Sequence, residues 1–209
     1  MNVLNLIEII GTIAFAAAGA LAGIQKRLDV FGVFMLALTT AVGGGIVRDL
    51  LTGITPPTAF LFPMSAIISL ITAIITCFAY GWLTKLTHVI LVCDAIGLGA
   101  FTAAGANLSF TYEYNRLFLT VMMAVLTGVG GGVIRDIFVG DVPFIFRKEI
   151  YAVASIIGAV CFFYTKPLLS GNGAMYLCFF VTVLIRMIAM KYDINLPVIG
   201  KRKQTEKES

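Results

Sequence analysis

The chain is built from long apolar runs separated by short polar breaks. Each run approaches the ~20 residues that a helix needs to cross the hydrocarbon core of a bilayer. The runs do not alternate apolar with polar residues, so they indicate helices rather than the strands of a membrane barrel. The pattern predicts an all-α integral membrane protein with seven spans, at residues 5–24, 31–52, 60–82, 88–106, 117–139, 147–165 and 174–192.

Composition supports the same class of protein. Hydrophobic residues make up 59% of the 209 residues and charged residues only 12%, which leaves too little polar surface for a soluble domain. The first run carries Glu8 near its start and has no Lys or Arg before it, so we expect a retained span rather than a secretory leader. Four cysteines lie inside apolar runs without metal-ligand spacing, so we interpret them as packing residues and predict no metal or cofactor: Cys77, Cys93, Cys161 and Cys178.

The distribution of basic residues predicts the orientation. One face receives most of them, namely Lys26, Arg27, Lys85, Arg147, Lys148, Lys191 and the tail residues Lys201, Arg202, Lys203 and Lys207. The other face receives only Arg116 and Lys166. The positive-inside rule then predicts an external N-terminus and a cytosolic C-terminus. The basic tail, residues 193–209, suits the anionic headgroups of membrane lipids better than a nucleic acid.

An internal repeat covers most of the chain. Residues 41–53, AVGGGIVRDLLTG, return as residues 128–140, GVGGGVIRDIFVG. Upstream, Glu8 and Phe15 align with Asp94 and Phe101. The repeat predicts one three-span unit at residues 1–87 and a second at 88–173, followed by the extra span at 174–192. Because each unit crosses the membrane three times, the second copy must be inverted, an arrangement typical of transport proteins.

Consecutive glycines mark the middle of spans two and five: Gly43, Gly44, Gly45, Gly130, Gly131 and Gly132. Each glycine favours a helix by about 1 kcal/mol less than alanine does. Close helix packing explains an isolated glycine in a span. Three in succession point in different directions, about 100° apart, which favours a helix break or hinge beside a polar pathway. We therefore expect a polar cavity inside each subunit, bordered by spans one, two, four and five.

Two arginines follow the glycine runs. Arg48 and Arg135 lie within two turns of the membrane midplane, where an unpaired charge costs at least about 2.5–3.5 kcal/mol. They are therefore expected to face the protein interior, either as ion pairs between helices or as residues lining a pathway. Asp49 and Asp136 are adjacent to them in sequence and point about 100° away, which predicts poor geometry for a pair within the motif.

Depth in the membrane suggests other partners for these arginines. Glu8 reaches the depth of Arg48, and Asp94 reaches the depth of Arg135, so we predict both as ion pairs, direct or through one water. The two aspartates of the motifs are then left to face the pathway and attract cations. Arg186 lies within two turns of the cytosolic end of the last span and is expected to extend to the interface.

The doubled GGGxxRD motif, in a plan of three, three and one spans, resembles the bacterial members of the trimeric intracellular cation channel (TRIC) family over nearly the whole chain. The same domain is also described as a glycine transporter domain. The resemblance implies a homotrimer in the bacterial inner (plasma) membrane, with a potassium-permeable pore in each subunit and helices kinked at the glycine runs. It also implies that Arg48, Asp49, Arg135 and Asp136 are pathway or gate residues. The lysine-containing motif of the animal members is absent, so their lipid regulation is not implied.

The residues themselves leave two functions open. A channel for potassium or other monovalent cations needs oxygen ligands and no unpaired positive charge at its narrowest point, so the arginines must be neutralised. A glycine transporter needs a receptor for a carboxylate and an acceptor for an ammonium group, which Arg and Asp beside broken-helix amides would provide. No nucleophile, general base or metal cluster accompanies the arginines, so an enzyme is not expected.

Overall fold

The computed structural model describes residues 3–83, 88–112, 117–147, 150–169 and 172–194, and the regular structure within them is helical. The loop residues Lys85, Arg116 and Lys148 and the tail from residue 195 onward lie outside the described residues. The helices are α1 Val3–Gln25, α2 Val30–Leu51, α3 Thr58–Leu61, α4 Met64–Leu83, α5 Val89–Ser109, α6 Leu117–Phe138, α7 Phe144–Arg147, α8 Ile150–Thr165 and α9 Gly173–Lys191.

Six of the described helices are long and apolar enough to cross a membrane, namely α1, α2, α4, α5, α6 and α9. The protein is therefore a multi-pass, all-helical membrane protein. The sixth predicted span, at 147–165, corresponds to α8, a shorter apolar helix of 16 residues. The third predicted span began at residue 60, but α4 begins at Met64 because Pro63 lies between it and the short helix α3.

The two halves of the chain end their second long helix in the same way. Gly53 after α2 and Gly140 after α6 have φ values of 77° and 72°, a left-handed conformation that glycine adopts without steric cost. The amide of Ile54 donates to the carbonyl oxygen of Asp49 at 2.8 Å, and the amide of Asp141 donates to that of Asp136 at 2.9 Å. Each turn leads into a helix of four residues, α3 or α7. The sequence repeat is therefore also a repeat of local structure.

Helices α1, α2, α5 and α6 form a central four-helix bundle, in which α1 packs against α2 and α5, and α6 packs against the same two helices. On the outside, α4 packs against α1 and α2, and α8 packs against α5 and α6 in the equivalent position. Helix α9 packs against α5 and α8. The extra helix thus covers the second half of the protein.

Candidate functional site

Helices α2 and α6 approach each other through their glycines. A Cβ atom at Gly44 would overlap the carbonyl oxygen of Thr127, and one at Gly131 would overlap the carbonyl oxygen of Thr40. A Cβ atom at Gly130 would lie 2.8 Å from the Cα atom of Gly44. Gly44 and Gly131 are equivalent in the repeat, as are Thr40 and Thr127. The crossing is therefore symmetric and lies on the pseudo-twofold axis that relates the two halves.

The expected helix breaks at the glycine runs are not present. Helix α2 is helical through Gly43, Gly44 and Gly45, and α6 is helical through Gly130, Gly131 and Gly132. Packing explains the glycine runs instead, because neighbouring glycines face different partners. A Cβ atom at Gly43 would contact the Ile134 side chain, one at Gly132 would lie 2.7 Å from the Tyr151 hydroxyl, and Gly44 and Gly131 face the opposite helix. The prediction of broken helices was wrong, whereas a role as hinges in a movement stays a prediction.

Two phenylalanines, one fully and one partly buried, meet where α1 packs against α5 in the four-helix bundle. The aromatic rings of Phe15 on α1 and Phe101 on α5 stack, with centroids 5.3 Å apart and planes inclined by 22°. Phe15 is 1% exposed and its ring contacts Gly97 and Gly131. The ring of Phe101 lies 3.1 Å from the position of a Cβ atom at Gly11, the repeat equivalent of Gly97. At this level phenyl rings lie where the sequence predicted a polar cavity.

Sequence reasoning assigned no role to these phenylalanines. The signal that could have found them was their alignment in the repeat, because the two residues occupy equivalent positions in α1 and α5. In an inverted repeat, equivalent residues meet only beside the symmetry axis, and the sequence does not show which equivalent pairs lie there.

Arg135 on α6 is buried among acidic side chains. Its Nη1 atom donates to Asp94 Oδ1 on α5 at 2.6 Å, the contact expected from membrane depth. Its Nε atom donates to Asp136 Oδ1 at 2.9 Å, and Nη2 lies 2.8 Å from the same oxygen. Arg135 is 1% exposed, and its guanidinium carbon lies 5.3 Å from the centroid of the Phe144 ring. The positive charge is thus neutralised within the protein by two carboxylates.

Arg48 on α2 has a different partner from the one expected. Its Nε and Nη2 atoms donate to Asp49 Oδ1 at 2.9 and 2.6 Å. The structure describes both Glu8 and Arg48, and the only ion pair of Arg48 in the described part of the chain is with Asp49. Of the two forms predicted for the Arg48–Glu8 pair, the direct one was wrong, because the neighbouring aspartate supplies a nearer acceptor, and the one through a water stays a prediction. The prediction that adjacent Arg and Asp pair poorly was also wrong, since the long arginine side chain curls back to its neighbour.

Each aspartate of the repeated motif also holds the start of a short helix. Asp49 Oδ2 accepts from the amide of Thr58 at 2.8 Å and from its hydroxyl at 2.6 Å. Asp136 Oδ2 accepts from the amide of Phe144 at 2.9 Å. The sequence had suggested that both aspartates face the pathway and attract cations. In this structure both are buried, so they are not free to do so. Each connects its arginine to the segment that follows the long helix.

Arg186 on α9 adds a second cation to the cluster of the second half. It is 2% exposed, and its guanidinium carbon lies 4.8 Å from the centroid of the Tyr151 ring. The expected extension to the interface was wrong, because α9 packs against α5 and α8 and directs this side chain inward, where Tyr151 offers a cation–π contact. The Tyr151 hydroxyl and Asp94 both lie near Gly132, within 2.7 and 3.4 Å of the position of a Cβ atom there.

The sequence of this chain is similar to a known protein family and to membrane proteins of other bacteria. The model of a family described as "Glycine transporter" matches residues 5–81 and again residues 91–167. The UPF0126 inner membrane protein YadS of Escherichia coli K12 is 37% identical over 200 residues, which cover 93% of this chain and 95% of YadS. The two matches to the family model coincide with the two halves of the fold.

The chain is also similar in sequence and fold to solved structures of TRIC channels. The crystal structure of a prokaryotic TRIC channel in 0.5 M KCl is 36% identical, with a TM-score of 0.86, and the alignment covers 93% of this chain and 98% of that one. A TRIC trimeric intracellular cation channel orthologue from Rhodobacter sphaeroides is 28% identical, with a TM-score of 0.84, and the alignment covers 93% of this chain and 100% of that one.

Proposed function

Because the chain belongs to the bacterial TRIC family, whose membrane domain also carries the description glycine transporter, we propose that it is a potassium-permeable channel for monovalent cations. The pathway is proposed to run through the central four-helix bundle of each subunit. The residues predicted to shape this pathway follow the glycine runs in sequence and are Arg48, Asp49, Arg135 and Asp136.

The observation that carries this proposal is the neutralisation of both central arginines. Arg48 and Arg135 each have a carboxylate oxygen within 2.6 Å. A cation pathway tolerates an arginine only when its charge is compensated nearby. A glycine carrier instead needs a guanidinium that can receive the substrate carboxylate. Here a substrate would first have to displace Asp49, Asp94 or Asp136, so the geometry favours cation conduction.

Potassium flux and glycine uptake separate the two functions in one preparation. In liposomes containing the purified protein, we expect a potassium gradient to drive a conductive flux that empty liposomes lack. Labelled glycine should enter no faster than it enters empty liposomes. The same preparation should have the mass of three chains in detergent, since we propose a homotrimer by analogy with the TRIC orthologues. Saturable, electrically silent glycine uptake without potassium conductance would overturn the channel proposal.

We also propose that α8 crosses the membrane, which gives seven spans and places the termini on opposite faces. Two contacts support this topology. Lys26 after α1 pairs with Asp141 after α6 at 2.7 Å, and Lys166 after α8 donates to Asn107 near the end of α5 at 3.2 Å. Each contact joins segments that seven spans would place on one face, the first cytosolic and the second external.

Labelling of introduced cysteines tests this topology. In a chain whose four native cysteines are replaced, a cysteine at residue 2 should react with an impermeant maleimide in intact spheroplasts. A cysteine at residue 208 should react only after the membrane is permeabilised. Equal labelling of both termini before permeabilisation would contradict the odd number of spans.

A further inference from the structure

We infer that Phe15 and Phe101 form a hydrophobic gate that closes the pathway at the centre of each subunit. The inference rests on the proposed channel function and goes beyond it by naming the residues that block conduction. It starts from position. The two residues are equivalent in the repeat and contact each other, so they lie beside the pseudo-twofold axis. In an inverted repeat this axis lies in the membrane plane, which places the pair at the midplane.

The pair fills the space that a permeating ion would need. Phe15 packs between Gly97 of α5 and Gly131 of α6, and Phe101 packs on Gly11 of α1. The rings therefore contact three of the four helices that surround the centre. A phenyl ring offers no oxygen ligand to replace the hydration shell of a cation, and a narrow apolar constriction excludes water.

Neighbouring polar groups do not bypass this constriction. The hydroxyls of Thr40 and Thr127, on either side of the glycine crossing, each donate to a carbonyl oxygen of their own helix at 2.6 Å. The helix backbones at Gly44 and Gly131 are in direct contact. Opening therefore requires the two rings to separate, either by side-chain rotation or by movement of α1 away from α5.

The gate predicts a gain of function. Replacing Phe15 and Phe101 together by alanine should raise potassium flux through reconstituted liposomes by roughly tenfold, because the apolar constriction is removed. Phe162→Ala is the matched control. Phe162 is a fully buried phenylalanine near the end of α8, and it packs edge-on against Phe110, which follows α5. Its removal leaves a comparable cavity and should not raise flux.

The outcomes distinguish the gate from the channel function. If the native protein conducts potassium and the folded double variant conducts no more, the gate inference is wrong and the channel proposal stands. An equal rise in Phe162→Ala would also overturn the gate, because the effect would then come from loosened packing. If neither protein conducts, both proposals fall. Should the double variant fail to assemble, Phe101→Ala alone carries the test, since Phe101 is only partly buried, and unchanged flux in that folded variant would overturn the gate.

Discussion

Gly44→Ala is expected to destabilise the protein, whereas Gly45→Ala, one position further along the same helix, is expected to leave its stability unchanged or slightly higher. A Cβ atom at Gly44 would overlap the Thr127 carbonyl oxygen and approach the amide nitrogen of Gly131 to 3.1 Å. Both are backbone atoms of the neighbouring helix, so relief requires α2 and α6 to separate. Overpacking of this kind costs about 1–3 kcal/mol, and occasionally more.

Gly45 is the matched control because it shares the motif and the depth in the membrane. A Cβ atom there meets only Arg48 Nη2, at 3.9 Å, which is an ordinary contact. Thermal unfolding of the two variants in the same detergent provides the measurement. Gly131→Ala should behave like Gly44→Ala because its Cβ atom would overlap the Thr40 carbonyl oxygen. Equal melting temperatures for the position 44 and 45 variants would show that the helices do not touch at this crossing.

Arg135→Gln is the second substitution with a large expected effect. It leaves Asp94 and Asp136 buried without the guanidinium that contacts both. Breaking a buried ion pair by removing one partner costs about 3–5 kcal/mol. We therefore expect a steep fall in the yield and thermal stability of the folded protein. Adding Asp94→Asn to this variant should restore part of the loss, because one of the uncompensated charges is then removed.

The equivalent substitution in the first half provides the comparison. Arg48 is 9% exposed, and Asp49 keeps its two hydrogen bonds to Thr58 when the arginine is removed. Arg48→Gln should therefore cost less than Arg135→Gln when both are measured by thermal unfolding. A larger loss for Arg48→Gln, or additive losses for Arg135→Gln and Asp94→Asn, would contradict the coupling of Arg135 to Asp94.

The long helices and the Arg135–Asp94 contact could be predicted from the sequence, because they depend on patterns that extend over many residues. Apolar runs near the thickness of a bilayer predicted the long helices, because lipid leaves the backbone few alternatives. The repeat, together with helix rise, placed Asp94 at the depth of Arg135, and the structure brings these two side chains together. The same argument did not identify the direct partner of Arg48, since a similar depth for Glu8 does not exclude a nearer acceptor.

The contacts that could not be predicted depend on side-chain conformation and on which faces of neighbouring helices pack together. Arg48 turns back to Asp49 because its side chain is long enough to offset the divergence of adjacent Cβ directions. The glycine runs were interpreted as breaks because a sequence does not show that Gly43, Gly44 and Gly132 face three different neighbours. The Phe15–Phe101 stack required knowledge of which equivalent residues lie beside the axis.

Helix α9 makes the two halves of the chain unequal in an experimentally useful way. If the four-helix centre were assembled from two identical three-helix chains inserted in opposite directions, every substitution would appear in both halves. In this protein the halves are fused, and α9 places Arg186 against Tyr151 of α8, beside the charges of the second half. Each residue and its repeat equivalent therefore form a natural pair of experiments, with the same local chemistry in two different surroundings.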